Sequence, residues 1–174
     1  MGSPSSETKS DQAFATHETR KAARHFAMLY FNFCKTLVEA LGVETAKPLV
    51  KKAVFSLSLD RTDRTRASAQ AQGLALTLEN FQKINDLPRS GWVPALGKNH
   101  CPYALAWFDY LEDYPWFKEF ASMYCDVIDT TNIENFTGNL SHKITKNVLW
   151  GDNTCERVYF HSEEVANGKL TYRD

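Results

Sequence analysis

Near residue 140 the hydrophobic period of this chain changes from three or four residues to two, and that change restricts its possible folds more than any other feature. Upstream, Ala22, Ala23, Phe26, Tyr30, Phe33, Leu37 and Leu41 recur at helical spacing from about His17, and Gly42 supplies a stop. Downstream, His142, Ile144, Lys146, Val148 and Trp150 alternate with Lys143, Thr145, Asn147 and Leu149, as in a strand with one wetter face. Gly151-Asp152-Asn153-Thr154 then reads as a turn, and Arg157 to His161 as the partner strand of a C-terminal hairpin. The expected class is α+β: a helical N-terminal half followed by a small antiparallel sheet with helices packed on it.

Between these ends the punctuation is mostly helical. A second helix is predicted from Thr45 through Val50, Val54 and Leu57, with Pro48 tolerated in its first turn. The run Asp60-Arg61-Thr62-Asp63-Arg64-Thr65-Arg66 reads as a charged junction, followed by a helix ending at Gly73. Thr77 can cap a short helix through Leu78, Phe81 and Ile84, ended by Pro88. Trp92 to Leu96, short, apolar and broken by Pro94, suggests an edge strand. Helices are then expected from Cys101-Pro102 and after Pro115, the second stopping near Thr130. Residues 1–12 are polar and aperiodic and are expected to form a disordered arm, leaving 13–174 as one α+β domain.

Composition excludes several function classes. A net charge of −1 gives no electrostatic reason to expect nucleic acid, and no apolar run is long enough for a membrane span. The N-terminus is polar, so a cytoplasmic protein is expected, with its four cysteines reduced. Neither a phosphate loop nor a Gly-x-Ser-x-Gly elbow is present, and no cofactor is expected. The 13% of aromatic residues, concentrated in the second half, suit either a large core or an apolar pocket for a small molecule.

Three cysteines stand in distinctive settings. Cys101, if Pro102 is the first helical residue, takes the N-cap, where free amides and the helix dipole favour a thiolate, and His100 beside it can serve as base. The bland alternative is a small buried residue at a junction. Cys125, Asp126 and Asp129 share a helix, Asp129 lying three and four residues from the other two, and Asn132 and Asn135 follow. Such carboxylates can activate water or bind a cation, or can simply be a solvated helix end. A carboxylate near Cys125 raises its thiol pKa and argues against independent activation. Cys155 follows the turn with its sheet face unassigned. Arg61, Arg64 and Arg66 can take a substrate carboxylate or pair with Asp60 and Asp63. Zinc ligands drawn from the cysteines and His100, His142 or His161 lack a closely spaced pair, so no metal is expected.

Cys101-Pro102 with an aromatic helix through Trp107, Tyr124-Cys125-Asp126 with Asp129, and Gly151-Asp152-x-x-Cys155 together resemble the L-2-amino-thiazoline-4-carboxylic acid hydrolase family over roughly residues 92 to 162. The resemblance implies a small α+β domain that opens a cyclic amidine bearing a carboxylate. For the namesake substrate, water adds at the ring carbon between nitrogen and sulfur. That step needs an activated water or thiolate, a proton donor and a carboxylate anchor. Cys101 or Cys125, Asp126 or Asp129, and Arg61 or Arg64 are the candidates. His100, Trp107, Tyr124, Asn132 and Cys155 are candidate substrate contacts. The chain departs from the family pattern at Asn135-Phe136, where Asn-Pro is expected.

Two other functions fit the same residues. One is a non-enzymatic binding or sensing domain with a vinyl-reductase-like ligand pocket. The other is a partner subunit that uses an aromatic face to form a homo-oligomer.

Overall fold

The computed structural model describes residues 6–161, with side chains from Asp11 onward. Helix α1 spans Ser6–Leu41 and α2 spans Val43–Ala71. Gly42 alone joins them, at φ 77°, a left-handed conformation that costs other residues strain. α1 begins inside the segment expected to be a disordered arm; residues 1–5 of that arm and 162–174 of the expected domain lie outside the described residues.

The charged junction at 60–66 is a correction: it lies in the middle of α2. Between Val43 and Ala71 no turn residue interrupts the chain, and Pro48 sits near the start. The helix buries one stripe, Ala46, Val50, Val54, Ser58, Thr62, Thr65 and Ala69, three or four residues apart. Its lower half is small and polar, so it carries no large apolar signal. α5, Phe117–Thr137, packs along this stripe in the most extensive helix–helix contact of the described chain. α5 runs past Thr130 to Gly138, which closes it at φ 73°. Arg66 reaches from α2 to the last carbonyls of α5, Asn135 O and Phe136 O, where a cation complements the helix dipole.

α3, Leu78–Ile84, starts as expected with Thr77 Oγ1 accepting the Asn80 amide. The expected edge strand at 92–96 is absent. That stretch forms 3₁₀ turns at Arg89–Gly91 and Pro94–Asn99, because Pro94 lacks an amide proton and Gly97 turns the chain at φ 53°. Arg20 of α1 holds this segment, donating to the carbonyls of Gly91 at 2.7 Å, Asn99 at 2.8 Å and His100 at 3.1 Å. Cys101 then occupies the N-cap of α4, Pro102–Leu111.

Strands β1, Leu140–Lys146, and β2, Glu156–His161, pair antiparallel as the hairpin, with Ile144 opposite Arg157 and His142 opposite Tyr159. The alternation stops at Lys146, since Val148–Trp150 is a 3₁₀ turn in which Val148 and Leu149 are both buried. β1 packs on α5. The core lies between α1, α4 and α5, where Trp107, Phe117 and Phe120 are fully buried and Phe31 stacks on Tyr110 at 3.8 Å. Helices thus pack on a small two-stranded antiparallel sheet, the class read from the period change.

Candidate functional site

A cavity of about 310 Å³ opens between α2, α3, the 85–101 segment, α4, α5 and β2. Arg61 of α2 enters it from one side, Cys101 from the foot of α4, and Tyr124, Cys125, Asp129 and Asn132 from one face of α5. The spacing of the α5 residues explains their company: 125, 128, 129 and 132 fall on one helical stripe. Trp92, Tyr103, Tyr124, Phe81 and Tyr159 supply aromatic wall.

Of the sequence candidates, the cavity therefore gathers Arg61, Cys101, Tyr124, Cys125, Asp129 and Asn132. Others stand outside its lining. Arg64 and Asp126 are exposed. His100 turns back on its own loop, with Nδ1 at 2.8 Å from Gly97 O. Trp107 is a core residue whose Nε1 donates to Ala27 O at 2.9 Å. Cys155 packs at the edge of the core, its sulfur 3.8 Å from Asn147 Oδ1.

Two lining arginines had no place among the sequence candidates. Arg157 projects from β2 onto Asp129, with Nε 2.6 Å from Oδ2 and Nη2 on the same oxygen. Period 2 places Arg157 and Tyr159 on one face of β2, and that alternation was the available signal. Arg89 sits in a 3₁₀ turn, where no pattern marks it. Its guanidinium is exposed and has no ion-pair or hydrogen-bond partner among the described residues.

The charges do not balance within the cavity. Among the described residues, Arg61, Arg89 and Arg157 face a single lining carboxylate, Asp129. Asp86, beyond the lining, holds Arg61 through Nε at 3.0 and 3.1 Å and Nη2 at 2.6 Å. Burial works against the Arg61 charge, and the bonds and charge of Asp86 outweigh it and raise the pKa. Arg61 also separates this cavity from a smaller cleft of about 180 Å³ lined by Phe26, Leu57, Asp86, Tyr103 and Tyr124. A small anionic ligand suits such a surplus.

The thiols are not standing nucleophiles. Burial pushes the Cys101 thiol above its ordinary value; the amides of Ala104 and Tyr103 pull it down without prevailing, and no side-chain hydrogen bond caps α4. Burial also pushes Cys125 well up, and the neighbouring Cys101 and Asp129 add to the effect. Cys101 does sit at the N-cap, where the amides favour a thiolate, and desolvation there works against them. All four cysteines are free, and among the described residues no group of three or more His, Cys, Asp or Glu side chains is arranged to hold a metal ion.

Among the described residues no helix is long and apolar enough to cross a membrane. No protein-family model, curated protein or solved structure matches the chain.

Proposed function

We propose that the chain is a hydrolase that opens a small cyclic amidine bearing a carboxylate, of the kind handled by the aminothiazoline-carboxylate hydrolases its landmarks resemble. The observation that carries this reading is the cavity, which combines a surplus of arginine, aromatic walls and one carboxylate with a spare oxygen. Its volume is near the lower end of small-molecule sites, about 300–1,000 Å³, so a single ring with a carboxylate is a fitting occupant.

In this reading Arg61 or Arg89 anchors the ligand carboxylate and the tyrosines sandwich the ring. Asp129 Oδ2 is engaged by Arg157, and Oδ1 has no hydrogen-bond partner among the described residues. That oxygen takes a proton from water as the water oxygen bonds to the amidine carbon. One ring bond to that carbon then breaks, and the departing heteroatom receives a proton from Asp129 or from the neutral thiol of Cys101 or Cys125. The sum is addition of one water.

A second reading, binding without turnover, is favoured by one observation: both thiols are held protonated and Asp129 is committed to an ion pair. Incubating the protein with 2-aminothiazoline-4-carboxylate and imidazoline-4-carboxylate, and following the mass gain of one water, separates the two. Ring opening by wild type that is lost in Asp129→Asn supports the hydrolase. Tight binding of an unchanged ring selects the binding domain. Opening that persists undiminished in Asp129→Asn, Cys101→Ser and Cys125→Ser alike moves the chemistry out of this cavity.

A further inference from the structure

Asn132 is buried, with 7% of its surface exposed, yet it lines the cavity. Its carboxamide is held from behind by two hydroxyls of α2. Ser58 Oγ lies 2.8 Å and Thr62 Oγ1 2.7 Å from Asn132 Oδ1. Each hydroxyl carries one proton and has a second acceptor in reach, Ile128 O at 3.0 Å from Ser58 Oγ and Ser58 O at 2.8 Å from Thr62 Oγ1, and in each case Asn132 Oδ1 is the nearer. The amide oxygen therefore faces α2, and the amide nitrogen faces away from it.

That nitrogen has no protein partner among the described residues. It is not sealed from solvent either: among the described residues, the one fully buried side-chain nitrogen or oxygen without a partner is Nε2 of His142. A two-proton donor without a protein partner among the described residues thus sits on a nine-tenths-buried side chain that lines the cavity, one helical turn along α5 from Asp129.

We infer that Asn132 is a ligand-binding residue that donates to an acceptor on the ring, namely the oxygen that water delivers to the amidine carbon. Ser58 and Thr62 are positioning residues that fix which end of the amide is presented. The assignment rests on the hydrolase reading for the identity of that oxygen, and it makes the site complementary to the opened or oxygenated carbon rather than to the amidine itself. A fixed donor also sets specificity, because a ligand with a hydrogen-bearing group at that point leaves the amide unpaired.

Binding of two probes of similar shape, measured at a pH high enough that the amidine is uncharged like the oxo ring, tests the inference without turnover: 2-oxothiazolidine-4-carboxylate, with an acceptor oxygen, and 2-aminothiazoline-4-carboxylate, with a donor amine. Calorimetry on wild type is expected to favour the oxo ring by about 10-fold, the scale of one neutral hydrogen bond. Asn132→Asp, which presents only acceptors, is expected to reverse that ratio. Thr62→Val keeps the shape of the stripe and loses one hydroxyl, and with Ser58→Ala it is expected to bring the ratio toward unity. A general loss of fold moves both affinities together, so the ratio separates orientation from stability.

Equal affinities in wild type, or a ratio unmoved by Asn132→Asp or by the α2 pair, overturn the assignment while leaving ring opening intact. A wild-type preference for the amino ring means that the amide oxygen faces the cavity, and overturns it too. Failure of both probes to bind overturns the cavity reading itself.

Discussion

Arg157 on β2 places two of its nitrogens on a single oxygen of Asp129 on α5, so one ion pair both fastens the hairpin to the helix and leaves half of the carboxylate free. Each side chain is less than one-third exposed. Its strength should lie between the ~0–1 kcal/mol of a surface pair and the ~3–5 kcal/mol lost when one partner of a fully buried pair is removed. Asp129→Asn and Arg157→Gln are each expected to lower urea-unfolding stability by about 1–3 kcal/mol. The double variant should lose less than the sum, which a double-mutant cycle measures.

Gly91 touches α1 too closely for any side chain. A Cβ there would meet Thr19 Cγ2 at 2.6 Å. Gly91→Ala should destabilise by about 1–3 kcal/mol through overpacking, and Thr19→Ser, which deletes that methyl while keeping the hydroxyl bonded to Ser90, should restore most of the loss. Thermal denaturation of the three variants checks it; no rescue by Thr19→Ser would place the clash elsewhere.

Trp107 contributes to stability and not to ligand contact. It is fully buried and anchored to Ala27 O. Trp107→Phe is expected to cost about 2–4 kcal/mol in chemical denaturation. In the folded variant, the affinity for either thiazoline-type probe should stay within about twofold of wild type.

Stability should decline at both pH extremes for separate reasons. Burial lowers the pKa of His142 below its ordinary value of 6.5, so neutral His142 contributes stability that is present above about 6.5 and lost as pH falls through the folded value. The acidic Asp129, cationic Arg157 and acidic Asp126 are the charges that face it. On the alkaline side burial pushes Cys34 up to about 12, so the folded state keeps a proton that the unfolded chain releases from about pH 9, and stability is lost between those values. Melting curves across pH should show both limbs. His142→Phe should flatten the acid limb, and Cys34→Ala should make the alkaline limb shallower, leaving the part carried by the buried Cys101 and Cys125 thiols.

How much of this was legible depended on the size of the side chains carrying the signal. Leu41-Gly42 and Thr77 punctuate helices as their chemistry requires, and the period change placed the hairpin. The middle of α2 was misread because its buried stripe is Ser58, Thr62, Thr65 and Ala69, residues that mark a face only once α5 lies against them. Trp92-Leu96 has the composition of a strand, but among the described residues the sheet has two strands, β1 and β2, paired with each other. For the site, helical spacing sufficed to group Cys125, Asp129 and Asn132. Alternation along β2 groups Arg157 with Tyr159 without saying what that face meets, and Arg89 required the tertiary fold, since what distinguishes it is the cavity it faces.

The cavity walls come from six elements, α2, α3, the irregular segment with Cys101, α4, α5 and β2, and its closure therefore reports on how these pack together. An occupant spans all of these at once and acts as a clamp on the native state. By mass action, a ligand at 100 times its Kd adds about 2.7 kcal/mol of stability, enough to move the melting temperature by several degrees. Melting temperature thus becomes an assay for the ligand itself, usable on a library of small carboxylates before any product is known.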